Sequence, residues 1–553
     1  MRHVLFLSAA VLAAFPAMAA GLTIEAENAR IKTAGMAMEG GWNLHSNGDV
    51  GDYVRLEEAG TYTVVVRARG TPCKGVWPIM VINVDNAPGP AASVEAKEFT
   101  DYPLKVNLPA GVHTVTVAFI NDALEGAEDR NLYLDRLEVR APEGGKEPAL
   151  AGREEWAAGG ERREEAALEK AARDTETVRK GAATVQVVDA AGKPVQDAVV
   201  RAELARHDFL FGCNIYMFDR FKEREQNAVY KKRFAELFNY ATTGFYWKGY
   251  EPERGKPNYE YTDKVAAWCA EHGIRVKGHP LLWGNPAGVP TWSQGQPPPD
   301  VQKARVQEIV KRYAGKIGFW EVVNEPAHEH GVKIDEPYRW AREADPKATL
   351  VVNDYYVMAN GYPPFFKLLQ DAEAAGVPFD GIGIQAHEPR SMRFPLEQVQ
   401  RVLDHYATLG KTLHITEFTP ASGGQPITGS HRQGIWNEMA QAEYAERFYR
   451  VVFAHPAAVA ITWWDLSDQG AWLKGGGLLR NDLGPKPAYD SLWRLIQREW
   501  KTRVEGRTDG TGAYTFRGFQ GHYRVHVEFG GKKADAECHL GKDGPNAWTV
   551  RLE

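Results

Sequence analysis

Eight short apolar runs constrain the fold of this 553-residue chain more than any other feature of its sequence. Helical stretches, such as residues 263–272 and 300–313, lie between most of them. The runs cover residues 209–215, 240–247, 274–283, 317–324, 349–356, 379–386, 412–418 and 458–466. Their mean spacing is about 36 residues, and a (β/α)8 TIM barrel of roughly 250 residues needs about 31 per strand–helix unit. The sequence therefore predicts such a barrel, with some long loops, over residues 207–500.

The sequence before the barrel predicts a β-sandwich. Residues 61–68 and 112–119 are β-branched and aromatic runs, and each follows a glycine. Several such runs within about 120 residues are typical of an antiparallel sandwich. We expect a jelly-roll-like β-sandwich domain over residues 21–141.

Three shorter segments surround the barrel. From residue 161 to residue 180, 12 of the 20 residues are charged, which predicts that 142–180 is a charged helical linker in contact with solvent. Residues 181–206 contain a Gly-Lys-Pro turn and are expected to be a small β unit that leads into the barrel. Residues 501–553 return to strand-like runs and predict a small C-terminal β module.

The first twenty residues have the anatomy of a secretory signal. Arg2 precedes an apolar run over 4–15, and Ala17-Met18-Ala19 offers a small-x-small cleavage site. The run is too short to span a bilayer, and no later run is long enough. We therefore expect a secreted protein, periplasmic or extracellular.

Composition excludes several other classes of protein. The formal net charge of −6 provides neither a basic surface for nucleic acid nor a polybasic patch for a membrane. The four cysteines, Cys73, Cys213, Cys269 and Cys538, are too dispersed for a disulfide scaffold or a zinc site. We expect no nucleic-acid partner, no membrane partner and a monomer.

Two predicted barrel strands end in glutamates. Glu325 closes the fourth strand and Glu417 closes the seventh, where the catalytic groups of such barrels lie. Paired carboxyls suit glycoside hydrolysis, in which one protonates the leaving oxygen and the other attacks or activates water. Each glutamate alone could instead cap a helix or form a surface ion pair.

Histidines and aromatic residues at other strand ends strengthen the catalytic interpretation. His279 follows the third strand and His387 the sixth, beside Trp283 and Gln385. Together they predict a polar sugar pocket with an aromatic platform. Further candidate substrate-binding residues are Tyr355, Trp464 and Trp472.

The motifs of this region resemble those of glycoside hydrolase family 10, whose usual activity is endo-β-1,4-xylanase. They are Phe-Leu-Phe-Gly at 209–212, Gly-His-Pro-Leu-Leu-Trp at 278–283, Val-Val-Asn-Glu-Pro at 322–326, Gln-Ala-His at 385–387, Ile-Thr-Glu at 415–417 and Gly-Pro-Lys-Pro-Ala-Tyr at 484–489. The resemblance implies a retaining mechanism without a catalytic cofactor, with Glu325 as acid/base and Glu417 as nucleophile. It also implies that Asn324 binds the 2-hydroxyl of the reacting sugar, that His387 orients Glu417 and that His279 binds sugar.

The sequence departs from this family at three places. Where the family usually has Glu-Asn-x-x-Lys-Trp, residues 242–247 read Thr-Thr-Gly-Phe-Tyr-Trp, without the carboxylate, amide and ammonium that bind sugar. Thr242, Thr243 and Tyr246 are instead expected to offer hydroxyls and a ring face to the sugar, but no charge. Gly284 replaces a usual histidine, and Asp465 a usual glycine. The substrate is therefore xylan, a related plant polysaccharide, or a different or decorated β-glycan. A carbohydrate-binding protein with an inactive barrel remains an alternative, which the two glutamates argue against.

The N-terminal domain resembles calcium-dependent xylan-binding modules, in which a bound ion coordinates sugar hydroxyls. The resemblance rests on the runs at 24–27, 75–78, 119–122 and 129–135. Carboxylates and amides crowded into one loop suit Ca²⁺. The candidate ligands in that loop are Asn121, Asp122, Asp129 and Asn131, and Glu25, Glu27 and Asp135 are candidates for a second, structural ion.

Overall fold

The computed structural model describes residues 21–85, 87–329 and 331–553, so the predicted secretory signal at 1–20 lies outside the described residues. The chain divides into two compact units. One comprises residues up to Val84 together with Gly89–Trp156, and the other comprises Asp85–Pro88 together with Ala157–Glu553. Within the described ranges, no helix combines the length and the apolar character needed to cross a membrane.

The first unit is a β-sandwich, as the sequence predicts. Val64, Val66 and Val117 are fully buried between the sheets, because alternate side chains of a strand face the same side. The strands are β1 (Gly21–Glu25), β2 (Ile31–Lys32), β3 (Met36–Met38), β4 (Gly41–Leu44), β5 (Gly48–Leu56), β6 (Gly60–Thr71), β7 (Ile79–Val84), β8 (Ala87–Ser93), β9 (Thr100–Leu108), β10 (Gly111–Phe119), β11 (Leu124–Glu125), β12 (Glu128–Asp129), β13 (Asn131–Arg140) and β14 (Ala149–Leu150). One sheet has the order β3-β4-β13-β6-β9 with β1 beside β13, and the other has the order β14-β5-β10-β7-β8 with β2 beside β5.

The charged segment forms helix α1 (Arg153–Val178), but solvent does not surround it. Its buried positions recur every three or four residues, namely Trp156, Gly160, Glu164, Ala167, Ala171 and Thr175. Glu164 is only 1% exposed, and its carboxylate pairs with Arg393 at 2.7 Å and with Arg447 at 3.0 Å. The expectation of a solvated helix is corrected here, because the charges on the exposed face obscured this narrow buried stripe.

The predicted (β/α)8 barrel follows β15 (Lys180–Val188) and β16 (Val199–His207). Its eight principal strands and the short β20 are all parallel. The ring closes because β17 pairs with both β18 and β25, and β19 pairs with β21. The strands are β17 (Leu210–Asn214), β18 (Tyr240–Gly244), β19 (Arg275–His279), β20 (Leu282–Trp283), β21 (Phe319–Asn324), β22 (Thr349–Asp354), β23 (Gly381–Ala386), β24 (Thr412–Phe418) and β25 (Ala458–Trp463). The helices are α2 (Arg224–Leu237), α3 (Trp247–Tyr250), α4 (Tyr259–Glu271), α5 (Pro299–Arg312), α6 (Asp335–Ala344), α7 (Val357–Asn360), α8 (Pro363–Ala374), α9 (Leu396–Ala407), α10 (Glu438–Ala454) and α11 (Pro487–Arg494).

One glycine of the third strand allows the barrel interior to pack tightly. A Cβ at Gly278 would lie 2.1 Å from the ring of Trp320, which is fully buried. No real Cβ approaches a ring atom so closely, so only glycine fits at this position. This packing fixes the end of the strand that carries His279.

The segments on either side of the barrel form two sheets together. β15 lies between β27 and β30, and β16 lies between β26 and β28. The predicted unit at 181–206 and the predicted module at 501–553 are therefore parts of one structure, which corrects their separate assignment. Two strands alone are not stable without another sheet or helix to pack against. Pairing between strands some 300 residues apart leaves no pattern in the local sequence that would reveal it. The added strands are β26 (Arg503–Arg507), β27 (Ala513–Phe519), β28 (Gly521–Phe529), β29 (Lys532–Leu540) and β30 (Ala547–Arg551).

We expect Glu164→Ala to destabilise the second unit by about 3 kcal/mol, because it leaves the buried guanidinium of Arg393 without its closest carboxylate. Denaturant unfolding measures the change in the free energy of unfolding. Glu165→Ala is the matched control, since its side chain is exposed on the same helix. Equal stability of the two variants would show that the buried pair contributes nothing.

Candidate active site

Glu325 and Glu417 lie at the C-terminal end of the barrel, on the fourth and seventh strands. Glu325 follows β21 directly and is 8% exposed, and Glu417 is the penultimate residue of β24 and is 5% exposed. Glu325 has φ of 54°, a left-handed conformation that residues other than glycine adopt uncommonly. Its backbone N–H donates to the carbonyl of Asn353 at 2.9 Å, which holds this conformation.

Glu325 is a buried carboxyl with two neutral donors. The indole N–H of Trp283 donates to Oε2 at 2.9 Å, and the amide of Gln385 donates to Oε1 at 2.6 Å. Burial raises the pKa of Glu325 to about 8. The negative charges of Asp354 and Glu329 also raise this pKa, whereas the two hydrogen bonds lower it. A carboxyl with this pKa carries a proton at neutral pH, as a general acid requires.

Glu417 is also buried, and its donors differ from those of Glu325. The amide of Asn353 lies 3.5 Å from Oε1, and His387 Nε2 lies 3.4 Å from Oε2. Burial raises the pKa of Glu417 well above its ordinary range, and the charges of Glu321 and Glu325 add to this. Two like-charged groups in one dry site titrate as a pair, so the first proton lost comes from the pair rather than from either residue alone.

His387 and Gln385 link the two carboxyls. His387 Nε2 donates to the Gln385 carbonyl oxygen at 3.1 Å, and the same amide group donates to Glu325. Burial lowers the pKa of His387 to about 3, with the charge of Arg390 adding, so the ring is neutral. Nε2 then carries the single ring proton, which faces both Gln385 and Glu417.

Beneath the glutamates lies a buried ionic network of Lys277, Glu321 and His279. The Lys277 ammonium and the His279 Nδ1–H both donate to the Glu321 carboxylate, and all three residues are at most 1% exposed. Burial alone would raise the pKa of Glu321, but Lys277 and His279 hold it at about 2. A Glu417 oxygen lies within 4.8 Å of ligand atoms of both His279 and Glu321. The network therefore sets the electrostatic field at Glu417.

Aromatic side chains surround His279 on the side of the second strand. The Tyr246 hydroxyl lies 3.1 Å from His279 Nε2 and 3.5 Å from the Tyr216 hydroxyl. Because His279 Nδ1 donates to Glu321, its Nε2 accepts from Tyr246. The ring of Trp464, only 5% exposed, packs edge-on against His279 at 5.3 Å. Trp464 thus forms a wall of the site rather than an open platform.

Trp472 is the exposed aromatic residue of the site. Its side chain is 50% exposed, its ring lies 4.9 Å from His387, and the Arg390 guanidinium lies 4.7 Å from its ring centroid. Asp465 fixes this loop, because one carboxylate oxygen accepts from the backbone N–H of Trp472 at 2.9 Å and the other from Asn214 at 3.0 Å. This anchoring explains the aspartate at a position where the family usually has glycine.

The fifth strand completes the mouth with a stack of rings. His328 lies between Tyr355, at 3.7 Å, and Tyr362, at 3.9 Å, and its Nδ1 is 2.5 Å from Asp354. At the end of the neighbouring strand β21, the side-chain carbonyl of Asn324 accepts a hydrogen bond from the side-chain amide of Asn353 at 2.8 Å. This bond orients the Asn324 side chain beside Glu325.

Comparison with known proteins identifies the barrel. The model of "Glycosyl hydrolase family 10" matches residues 201–494, which is more than half of the chain. The chain belongs to glycosyl hydrolase family 10. The model of a Ca-dependent, xylan-binding carbohydrate-binding module matches residues 63–151 of this family 10 protein.

Individual relatives cover the family 10 region to different extents. The anti-sigma-I factor RsgI6 of Acetivibrio thermocellus is 29% identical over 64% of this chain, which spans only 46% of that relative's length. Endo-1,4-beta-xylanase B of Thermotoga neapolitana is 30% identical over 48% of this chain and 83% of its own. Among solved structures, native xylanase 10B from Thermotoga maritima is 26% identical with a TM-score of 0.45, over 53% of this chain and 96% of its own.

The predicted metal loop of the first unit brings two carboxylates together. Burial raises the pKa of Asp122, and the nearby charge of Asp129 adds to this. The buried Oδ1 of Asn131 has no hydrogen-bond partner within the described part of the chain. A divalent cation would offset the like charges and give that oxygen a partner, so these three residues fit calcium. Asn121 instead fastens the loop, accepting from Ile79 N–H and donating to the Trp77 carbonyl.

The candidates for a second ion do not form an acidic site. The Asp135 carboxylate pairs with Arg67 at 3.0 Å and with Arg136 at 2.9 Å, and Glu25 and Glu27 are exposed. Over residues 21–85, 87–329 and 331–553, groups of three or more metal-ligating His, Cys, Asp or Glu side chains occur at two places, both in the second unit. The arginines already neutralise Asp135, which explains why sequence proximity was misleading here.

Sequence reasoning missed three residues of the site and misjudged two. Lys277, Glu321 and Tyr216 were not singled out, although a lysine and a glutamate inside apolar runs signal a buried pair. Thr242 and Thr243 were expected to offer hydroxyls to sugar, but both are fully buried in β18. The segment that follows the second strand therefore presents Tyr246 to the site, and the threonines of the strand do not reach it.

The raised pKa of Glu325 predicts a pH-dependent cost to stability. Because the folded-state pKa of Glu325, about 8, exceeds its unfolded-state value, protonation of this residue stabilises the folded protein. This stabilisation is fully present below about pH 4.5 and is lost as the pH rises towards 8. Relative to Glu325→Gln, which does not titrate, the wild type should lose on the order of a few kcal/mol between pH 5 and pH 9.

Urea unfolding at both pH values measures this difference. Glu225→Gln, at an exposed position of α2, is the control and should differ from the wild type equally at the two pH values. A pH-independent difference between Glu325→Gln and the wild type would contradict the raised pKa.

Proposed function

We propose that this protein is a secreted, modular, retaining glycoside hydrolase that cleaves β-1,4-linked xylan or a related plant polysaccharide. The observation that carries the proposal is the pair of buried glutamates, Glu325 and Glu417, which share the linking side chains Gln385 and His387. The xylanases among the relatives support the choice of substrate class.

In the first step, Glu325 donates its proton to the glycosidic oxygen as the bond from that oxygen to C1 breaks. A Glu417 oxygen forms a bond to C1, which gives a glycosyl ester. In the second step, the Glu325 carboxylate takes a proton from water, the water oxygen bonds to C1, and the ester bond to Glu417 breaks. Two inversions retain the configuration at C1 and restore both carboxyls.

The shared proton of the pair resides on Glu325 in this mechanism. Glu417 receives the positive charge of Lys277 and the amide hydrogen bond of Asn353, both of which favour its ionised form. Glu325 instead experiences the negative charges of Asp354 and Glu329, which favour its protonated form. These opposite surroundings support the acid role for Glu325 and the nucleophile role for Glu417.

The remaining mouth residues bind sugar in this proposal. Asn324 binds the 2-hydroxyl of the reacting sugar, and His279 with Tyr246 contacts the sugar on the non-reducing side. The exposed ring of Trp472 offers a stacking surface to a sugar on the other side, and Trp283 and Tyr355 line the sugar path. His387 positions Glu417 through its Nε2 proton.

We expect Glu417→Ala to abolish turnover of all β-glycosides, because no group then attacks C1. Glu325→Ala should retain turnover of aryl β-xylosides with good leaving groups, which need little protonation, and lose most activity on polysaccharide. Initial rates on an aryl xyloside and on xylan measure both effects, and NMR of the first product anomer tests retention.

Glu225→Ala is the matched control and should act as the wild type on both substrates. Near-normal activity of Glu417→Ala would exclude the nucleophile assignment. A wild-type chain without turnover on any β-glycan would favour an inactive, sugar-binding barrel.

The altered second strand predicts a preference among substrates. Tyr246 presents a ring and a hydroxyl already bonded to His279, where the family usually places a lysine. Binding there then depends on stacking and neutral hydrogen bonds, and leaves room for a side group. We expect weak action on unsubstituted linear xylan relative to a decorated or different β-glycan, measured as kcat/KM over a panel of polysaccharides.

Tyr246→Ala should reduce kcat/KM on the preferred glycan by about tenfold or more, since one stacking contact and one hydrogen bond are lost. Tyr259→Phe, at a half-buried position of α4 whose hydroxyl bonds to Glu308, is the control and should have no effect. Efficient cleavage of linear xylo-oligosaccharides that Tyr246→Ala leaves unchanged would overturn this prediction.

We infer that calcium in the first unit takes part in sugar binding, with Asp122, Asp129 and Asn131 as ligands. Bound Ca²⁺ supplies coordination positions that sugar hydroxyls can occupy in place of water. EDTA should therefore abolish xylan binding by the first unit, and Asp129→Ala should reproduce this effect while turnover of aryl glycosides persists.

Affinity electrophoresis of full-length Glu417→Ala on xylan, with and without EDTA, provides the measurement for this inference. Glu57→Ala, an exposed carboxylate elsewhere in the sandwich, is the control. Binding that is equal with and without EDTA would exclude the ion-mediated mode.

A further inference from the structure

Two histidines face each other across neighbouring strands of the C-terminal sheet. His522 of β28 and His539 of β29 are direct register partners, and their ring centroids are 4.7 Å apart. Side chains at directly opposite positions of an antiparallel pair lie on the same face of the sheet. The two rings are therefore held together by the backbone, and no loop has to move to bring them close.

A carboxylate from the start of the barrel completes this group. Asp208 follows β16, and its backbone N–H donates to the Gln520 carbonyl at 3.2 Å, which places its side chain beside the histidine pair. Its oxygens lie 2.9 and 3.0 Å from His539 Nε2. Ligand atoms of Asp208, His522 and His539 all lie within 4.8 Å of one another.

We propose that Asp208, His522 and His539 form a binding site for a divalent transition-metal ion such as Zn²⁺. Zn²⁺ takes imidazole nitrogens at about 2.0–2.1 Å and carboxylate oxygens at about 2.0–2.2 Å, and these three side chains offer both types of ligand. Two histidines and one carboxylate leave a fourth position for water. The site lies outside the barrel mouth and does not depend on the proposed hydrolysis.

The surroundings of the group allow a metal to enter and limit how tightly it binds. The His539 side chain is 48% exposed and that of Asp208 is 32% exposed, so an ion reaches the group directly from solvent. Arg206 and Arg275 are close enough to repel a cation, so we expect weaker binding than at a closed four-ligand site.

A bound ion would join two distant parts of the chain. Asp208 leads into β17, the first strand of the barrel, whereas both histidines belong to the C-terminal strands, 331 positions from Asp208 in the case of His539. An ion that binds only the folded arrangement shifts the folding equilibrium towards it. A bound ion would therefore hold the C-terminal strands to the segment that leads into the first strand of the barrel.

The test uses the full-length chain without an affinity tag, stripped of metal and kept in excess Ca²⁺. Calorimetric titration with Zn²⁺ should give one equivalent bound, and Co²⁺ should give a visible absorption band. His522→Ala, His539→Ala and Asp208→Asn should each weaken Zn²⁺ binding by at least about tenfold and remove the band. Zn²⁺ should raise the thermal unfolding midpoint of the wild type and not that of these three variants.

His526→Ala is the matched control, because His526 faces Asp535 across the same two strands but has no histidine partner. It should bind Zn²⁺ as the wild type does. Absence of Zn²⁺ binding by the wild type, or equal binding by the wild type and the three ligand variants, would overturn the proposal. Either result would identify the group as an ordinary ion pair beside a second histidine.

Discussion

Burial of two like-charged glutamates in one barrel mouth is the constraint on which the rest of the site depends. Neither Glu325 nor Glu417 is more than 8% exposed, and the negative charge of Glu325 contributes to the raised pKa of Glu417. Two adjacent buried carboxylates cannot both be ionised at low cost, so the pair retains a proton at neutral pH. Glycoside hydrolysis with retention needs this state, one carboxyl protonated and the other ionised.

The surroundings of the pair determine which carboxyl keeps the proton. Lys277 and Glu321 form an ion pair below Glu417. The Lys277 ammonium favours ionisation of Glu417, and the Glu321 carboxylate opposes it. His279 is held neutral and oriented between Glu321 and the Tyr246 hydroxyl. The second strand thus contributes to the same electrostatic network through a tyrosine, which connects the unusual sequence at 242–247 to the chemistry.

Local patterns predicted the barrel, because each of its strands is an apolar run whose neighbour follows after one helix. They did not reveal the shared sheets of β15, β16 and the C-terminal strands, since those pairings join residues some 300 positions apart. The motifs predicted the positions of Glu325 and Glu417 at strand ends. The burial of Thr242 and the neutralisation of Asp135 by arginines depend on side-chain packing, which no spacing in the sequence encodes.

The most direct measurement of the central claim is a pH titration of the two carboxyls by ¹³C NMR. Glutamate labelled at Cδ, with signals assigned by Glu325→Gln and Glu417→Gln, reports the ionisation of each residue separately. We predict that at pH 6 the Glu325 signal is that of a protonated carboxyl and the Glu417 signal that of a carboxylate, with Glu325 titrating near pH 8. Two carboxylate signals at pH 6, or a proton on Glu417 in place of Glu325, would contradict the account.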